Sequence, residues 1–462
     1  MKELIHSQRE YFLQGRTLPI EARKESLKKL YRLLLENEKL LADAIFKDFR
    51  KSFYMTVEHE LSLPYGEINR ALSSLRRWSR STFFRTNLVN FPATSRTVPV
   101  PYGVSLIIGP WNYPYMLSLV PVISSLAAGN TVILKPSELA SHASAALAGL
   151  INATFPSELF HVVEGGVSET TELLKEKVDK IFFTGSTRVG RIVMKAAAEH
   201  LTPVTLELGG KNPVIVMPGC NIKQTAKRLT WGKFHNNGTA CVSPDHVYVH
   251  ESIREELVTE IKKSIRRLYG ADPKLSPALP RMISRQHYDR VMAQIDPSKV
   301  VAGGGGDPEE LYIEPTVMDG IDPSDPVMKD EVFGPVMPIL GYTDLDSIIA
   351  VQKRKPAPLV LYIFTGNPRR AIRLMKEIPS GGGMINEVVM QFINMNSPFG
   401  GLGDSGMGSY HGKAGFEAFS HQKTIMKKPF WFELFLKYPP YRTFNLRIIR
   451  SVMGRSLRNF WR

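Results

Sequence analysis

The sequence predicts an α/β fold made of two Rossmann-type αβα domains. Three observations carry that expectation. From Pro99 onward, short apolar runs alternate with helical stretches. The runs lack polar alternation, the pattern of parallel strands covered on both faces. The alternation occurs as two series, one over about 103–200 and one from 203 onward, and the 462-residue length suits more than one domain.

Residues 18–50 read as an amphipathic helix, with Leu27, Leu30, Leu34, Leu41 and Ile45 at helical spacing. A second helical stretch covers about 57–79. "GVSLIIGP" (103–110) is a buried strand ending in a turn. "PYMLSLVPVISSLAAGN" (114–130) is a helix closed by Gly129-Asn130. Strand 131–136, helix 141–152, strand 161–165, strand 180–185 and helix 187–200 complete the first series. Strands 203–208 and 212–217 and helix 251–269 open the second. "GGGG" (303–306) reads as a flexible loop, with neither a strand expected before it nor a helix signal after it. A cleft between two such domains is the default ligand site.

With 59 Lys+Arg against 44 Asp+Glu, the formal net charge is +15. A charge of that size raises nucleic acid, anionic membrane and acidic ligands as partners. Residues 427–462 hold nine basic residues and one acid, hence +8 of the total. The mildly basic remainder argues against nucleic acid. Two cysteines, Cys220 and Cys241, cannot build a disulfide framework and fit a reducing compartment. The start, Met1 to His6, lacks a signal-peptide apolar core, and no run of 18 apolar residues occurs.

Cys241 lies in "GKFHNNGTACVSPDHVYV", between a helix ending near Gly238 and a strand starting near His246. A thiol in such a turn is either a small buried residue or a nucleophile. Cys220 has no comparable setting and reads as structural. Glu207, in "TLELGGK", is a carboxylate at a strand end followed by two glycines that admit a close approach. It reads as a general base or as a solvated acid. Asn112, in "GPWNYP", is either an ordinary turn residue or an amide donor to an oxyanion. "FFTGSTRVG" (182–190) has a strand–Gly–helix shape suited to anions, though it is no GxGxxG. His246 and His250 share a strand face without a third ligand, so no metal is expected. A hydrolase pairing of His235 with Cys241 has little to favour it.

Taken in order, "PWNYP", "AAGNTVILKPSE", "FTGSTRVG", "LELGGKNP", "NNGTACVSPD", "EVFGPVMP" and "SPFGGLGDSGMGSYHGKAGFEAFSHQK" resemble the aldehyde dehydrogenase superfamily over about residues 10–428. The short N-terminus and "GMGSYHGKAGFEAFSH" are similar to its class 3 branch, which includes fatty aldehyde dehydrogenases. The resemblance implies that Cys241 is the nucleophile, that Asn112 and the Cys241 N–H hold the oxyanion, and that Glu207 activates water. It implies an NAD site, with NADP as an alternative: Lys135 and Glu138 at the adenosine ribose, Gly185, Ser186, Val189 and Gly190 at the turn and helix start, Glu331 and Phe333 at the nicotinamide ribose. An acid at Glu138 favours NAD by repelling a 2′-phosphate. The family sheet binds NAD without the usual glycine fingerprint. Two departures stand out: Thr239-Ala240 replaces the common Gln-Thr, and His235 replaces a frequent Met.

The resemblance further implies a small-molecule aldehyde substrate, medium- or long-chain aliphatic or aromatic, and a homodimer. Residues 1–80 and 101–206 would form the cofactor domain and 207–410 the catalytic domain. Segments 81–100 and 418–428 would form bridging arms of a β-arm oligomerisation element. Two alternatives are a CoA-acylating relative, which typically lacks the base at the Glu207 position, and a non-enzymatic cofactor-binding scaffold. The tail, 429–462, holds the aromatic patch "PFWFELFL" and a helical stripe of Ile449, Val452, Met453, Leu457 and Phe460 opposite Arg447, Arg450, Arg458 and Arg462. A basic amphipathic helix can lie on an anionic membrane or pack on the protein. The expected location is the cytoplasm, with peripheral contact at the cytoplasmic membrane face.

Overall fold

The computed structural model describes residues 1–458, with side-chain surroundings for all of these except 88, 435 and 452–458. Of the stripe, the side-chain surroundings of Val452, Met453 and Leu457 and the whole of Phe460 therefore lie outside what is described. The chain divides into two units, 1–78 with 100–421, and 79–99 with 422–462.

The first unit holds two mainly parallel sheets. In chain order their strands are Val104–Ile108 (β1), Thr131–Lys135 (β2), Phe160–Val162 (β3), Lys180–Thr184 (β4), Val204–Glu207 (β5), Pro213–Val216 (β6), His246–His250 (β7), Val300–Ala302 (β8), Thr316–Met318 (β9), Val336–Tyr342 (β10), Val360–Phe364 (β11), Gly382–Ile385 (β12) and Gly406–Met407 (β13). The first sheet has the order β13-β5-β4-β1-β2-β3 and the second β8-β9-β10-β7-β6-β11-β12. Strands β1, β2 and β4 are buried at every position, which explains their uninterrupted apolar sequences. The chain winds from β1 to β2 and β3 on one side, then crosses to β4 and β5 on the other. The gap between β1 and β4 is therefore a topological switch point, where open sheets bind ligands beyond the carboxyl ends of their strands. Register puts Thr184 beside Glu207, and Ile108 beside both Lys135 and Phe183, at that edge.

Two expectations need correction. The single helix over 18–50 is two, Ile20–Glu36 and Glu38–Phe49, parted at Asn37 with φ −118°. All five predicted core residues are nonetheless fully buried. A strand, β8, does precede the four glycines. It runs antiparallel to β9. Gly303 and Gly304 turn the chain with φ +70° and +98°, a conformation open to glycine. The helical stretch 57–79 contains a π-turn, Val57–Leu61, before the α-helix Ser62–Trp78. Pro64 lacks the N–H that would continue regular α pairing there.

The second unit contains most of a three-stranded sheet made by Thr82–Phe84, Thr94–Pro101 and Ser420–Lys427. Thr82 pairs with Thr97 in antiparallel register. Phe83, Phe84, Phe91, Phe430 and Trp431 are all exposed in this unit. The tail forms a helix, Thr443–Arg458, on which Ile449 is exposed. Among the described residues, no helix is long and apolar enough to cross a membrane.

Candidate active site

Cys241 sits in a turn forced by its own sequence. The helix Ile222–Phe234 ends, a short 3₁₀ segment follows over His235–Gly238, and the chain then enters β7. Asn236, Asn237 and Gly238 take φ of 49°, 56° and 69°, three left-handed residues in succession. Asparagine tolerates that region better than most residues. At Gly238 a methyl group would collide with the backbone carbonyl of Gly334. Gly238→Ala should therefore lower stability by at least ~1–2 kcal/mol, checked by the urea midpoint; an unchanged midpoint would contradict the crowding.

The turn is tied down from outside. Asn212 Nδ2 donates to the carbonyls of Cys241 at 2.6 Å and Ser243 at 3.0 Å, while its Oδ1 accepts from Val360 N at 2.9 Å. Tyr362 Oη donates to Val242 O at 2.5 Å. Burial pushes the Cys241 thiol up, and the carboxyls of Glu207 and Glu331 push it further. The backbone N–H groups of Cys241 and Val242 act in the opposite direction. Such N–H groups at sulfur are the donors an oxyanion on an attached carbon would meet.

Asn112 follows β1 and is buried. Its Nδ2 donates to Thr239 O at 2.9 Å, and its own carbonyl accepts from Asn236 Nδ2 at 3.0 Å. One amide hydrogen of Asn112 is thus engaged and the second is left for a ligand. Glu207 is the last residue of β5 and only 3% exposed. Burial holds its pKa well above the usual carboxylate range. Among the described residues its Oε1 has no hydrogen-bond partner, an expensive state that a bound water or ligand would relieve.

One cleft of about 690 Å³ is lined by Asn112, Glu207 and Cys241 together with Lys135, Glu138, Gly185, Ser186, Val189, Glu331 and Phe333. Ten of the eleven sequence-predicted site residues therefore meet in one place. Gly190 is not on the wall; a methyl group there would meet Leu208 Cδ2 at 2.7 Å, so it permits close helix–strand packing. At the cleft, β4 runs through Gly185 into the helix Thr187–Glu199, whose N-cap is Ser186 Oγ accepting from Val189 N at 3.4 Å. The N–H groups of that end are suited to an anion. Lys135 Nζ lies 3.8 Å from Glu138 Oε2.

The glycines after Glu207 serve a specific neighbour. A methyl group on Gly209 would collide with Glu331 Oε2, and the Gly210 N–H holds the same carboxyl. Burial, with Asp245 adding to it, pushes Glu331 up to about 8. The loop carrying Glu331 and Phe333 is clamped: Asp245 Oδ2 accepts from Val332 N at 2.8 Å, and Arg290 Nη2 donates to Phe333 O at 3.1 Å. Thr184, Arg188, His287 and Arg290 also line the cleft and were not singled out from sequence. Arg188 lies inside the "FTGSTRVG" string and could have been. A dinucleotide fits this donor set: a helix end suited to anions, a lysine and two carboxyls for ribose hydroxyls, and a buried Thr184 hydroxyl without a partner among the described residues.

A model of the Aldehyde dehydrogenase family matches residues 1–425. The chain is 41% identical over 434 residues to Aldehyde dehydrogenase family 3 member A2 of Pongo abelii, covering 94% of this chain and 90% of that protein. It is 40% identical over 444 residues to 4,4'-diaponeurosporen-aldehyde dehydrogenase of Staphylococcus aureus, covering 96% and 97%. The substrate-bound structure of Staphylococcus aureus AldH superposes with a TM-score of 0.95 at 39% identity, covering 98% of this chain and 99% of that one. With that likeness extending over both sheets and the cleft, the chain belongs to the aldehyde dehydrogenase family, in its class 3 branch, and is an NAD(P)-dependent aldehyde dehydrogenase.

Proposed function

We propose that this enzyme oxidises medium- or long-chain aliphatic aldehydes to carboxylic acids, with Cys241 as nucleophile, Asn112 as oxyanion donor and Glu207 as general base. The convergence of those three side chains in one cleft carries the reading. As a thiolate, Cys241 Sγ adds to the aldehyde carbon, and the C=O pair moves to oxygen. The N–H of Cys241 and the second amide hydrogen of Asn112 hold that oxygen. Bound nicotinamide supplies the hydride acceptor. Collapse of the oxyanion expels the aldehyde hydrogen as hydride and leaves a thioester on Cys241. Glu207 takes a proton from water, the hydroxide adds to the thioester, and the thiolate leaves. Aldehyde, oxidised cofactor and water thus give carboxylate, reduced cofactor and two protons.

Lys135 and Glu138 are suited to the adenosine ribose, and a carboxylate there favours NAD over NADP. Glu331 and Phe333 are suited to the nicotinamide ribose. Residues 1–80 with 101–206 would bind cofactor and 207–410 would carry the chemistry. The exposed Phe83, Phe84 and Phe91 support arm 81–100, with 418–428 contributing to the same sheet, as a homodimer surface. The reading extends to a cytoplasmic enzyme whose basic tail meets an anionic membrane face. For the substrate, the support is a relative named for a diaponeurosporen aldehyde.

Steady-state oxidation of hexanal, dodecanal and benzaldehyde with NAD and with NADP tests the proposal. The highest kcat/KM is expected for dodecanal with NAD, with free carboxylate as product. Acyl-CoA formed in the presence of CoA, or preference for benzaldehyde, would overturn it.

A further inference from the structure

We propose that the buried Lys51–Glu60 ion pair is a positioning device that holds the Asn112 turn against the nucleophile loop. The inference rests on the reading of Asn112 as oxyanion donor and adds the pair that places it.

Lys51 stands in the link between helices Glu38–Phe49 and Phe53–Thr56, just after Arg50, whose φ of 55° ends the first helix. It is fully buried, as is Glu60. Lys51 Nζ donates to Glu60 Oε1 at 2.6 Å and to the backbone carbonyl of Asn112 at 3.2 Å. The ammonium also lies 4.8 Å from the ring centroids of both Phe49 and Tyr113. Glu60 projects from the π-turn Val57–Leu61, a local widening often found at functional sites. Its second oxygen accepts from Tyr115 N and Met116 N, each at 3.2 Å. Those amides begin the helix Met116–Ala128, where a negative charge is favoured.

The pair thus grips both ends of one turn with the charge each end needs: a cation on the carbonyl of 112, an anion on the amides of 115 and 116. Glu60 only accepts in all three contacts, as a carboxylate does. Burial pushes Glu60 up and Lys51 down, each towards its neutral form, and the opposite charge works against both shifts. Well-packed apolar residues often match or exceed a buried ion pair in stability. Stability alone therefore gives no reason for this pair. What apolar side chains cannot do is bind a carbonyl and two amides of the same loop. The second contact on the Asn112 carbonyl, from Asn236 Nδ2, comes from the loop that carries Cys241. Loss of Lys51 leaves only that bond and the one from Asn112 Nδ2 to Thr239 O, both to the nucleophile loop itself, to set the distance between the amide and the sulfur.

A double-mutant cycle on the full enzyme tests this, with octanal and NAD as substrates and thermal unfolding as a second readout. Lys51→Met should lower kcat by about 10²-fold with the KM for NAD unchanged, because a displacement of the order of an ångström costs about that much. In the Asn112→Ala background, Lys51→Met should change kcat by less than about twofold, while lowering Tm as much as it does in the parent. Glu60→Gln, which keeps an oxygen for the two amides, is the second variant should Lys51→Met be insoluble, and the same non-additivity with Asn112→Ala is expected. Equal fold-losses in both backgrounds would overturn the positioning role and leave the reading of Asn112 intact. Full kcat in Asn112→Ala alone would overturn both.

Discussion

Cys241→Ser should lower aldehyde-dependent NADH production by roughly 10⁴-fold or more, while NAD binding measured by calorimetry stays close to that of the parent. Oxygen for sulfur is a small change in volume, and the turn is held by backbone contacts from Asn212 and Tyr362 that the substitution does not touch. The chemistry, in contrast, has no substitute. A serine hydroxyl needs an adjacent base to become a nucleophile. No histidine donates to or accepts from residue 241 among the described contacts, and burial pushes the pKa of the cleft's Glu207 well above its ordinary value. Burial and the nearby carboxyls already push the thiol upward, so an alcohol starts from a far worse position. Retained turnover in Cys241→Ser would mean that another group attacks the aldehyde, and the assignment of the cleft would fall with it.

The parts of this site that were legible in the sequence are those written in short contiguous strings. "TACVSPD", "LELGGK" and "FTGSTRVG" each place a turn and a cleft-lining side chain within about ten residues; each alone leaves a structural alternative open, and their order along the chain carries the resemblance. The parts that were not legible act across long separations. Lys51 meets Asn112 across 61 positions, and Asp245 meets Val332 across 87. Nothing at Lys51 in the sequence distinguishes it from a solvated lysine. The two sheets were legible because buried parallel strands are apolar throughout. The break at Asn37 was not, because Leu34 and Leu41 are seven residues apart and keep helical phase across it. Strand β8 was missed for want of length: three half-buried residues show no period. The two glycines after Glu207 announced a close approach, but only the fold reveals that the visitor is Glu331.

Glu207→Gln should lower steady-state kcat by about 10²–10⁴-fold, the usual contribution of a general base, yet retain a burst of NADH near one per active site. Hydride leaves before the thioester is hydrolysed, so the base is needed only after the burst. Loss of the burst together with the steady state would place Glu207 earlier in the reaction. The pH profile gives an independent check. Burial raises the Glu207 pKa well above its ordinary value, so the active carboxylate forms only at correspondingly higher pH. Thioester hydrolysis should rise with pH through a limb displaced upward from the carboxylate range, and the limb should vanish in Glu207→Gln. The same shift has a stability consequence of fixed sign. A group that binds its proton more tightly when folded contributes stability below its unfolded pKa and loses it as pH rises through the folded value. The parent should therefore lose stability on the alkaline side of that limb relative to Glu207→Gln, which cannot ionise, with no such pH-dependent difference in acid. A parent that gained stability over the variant with rising pH would mean that Glu207 is ionised and partnered in the folded protein, contrary to its lone, buried Oε1.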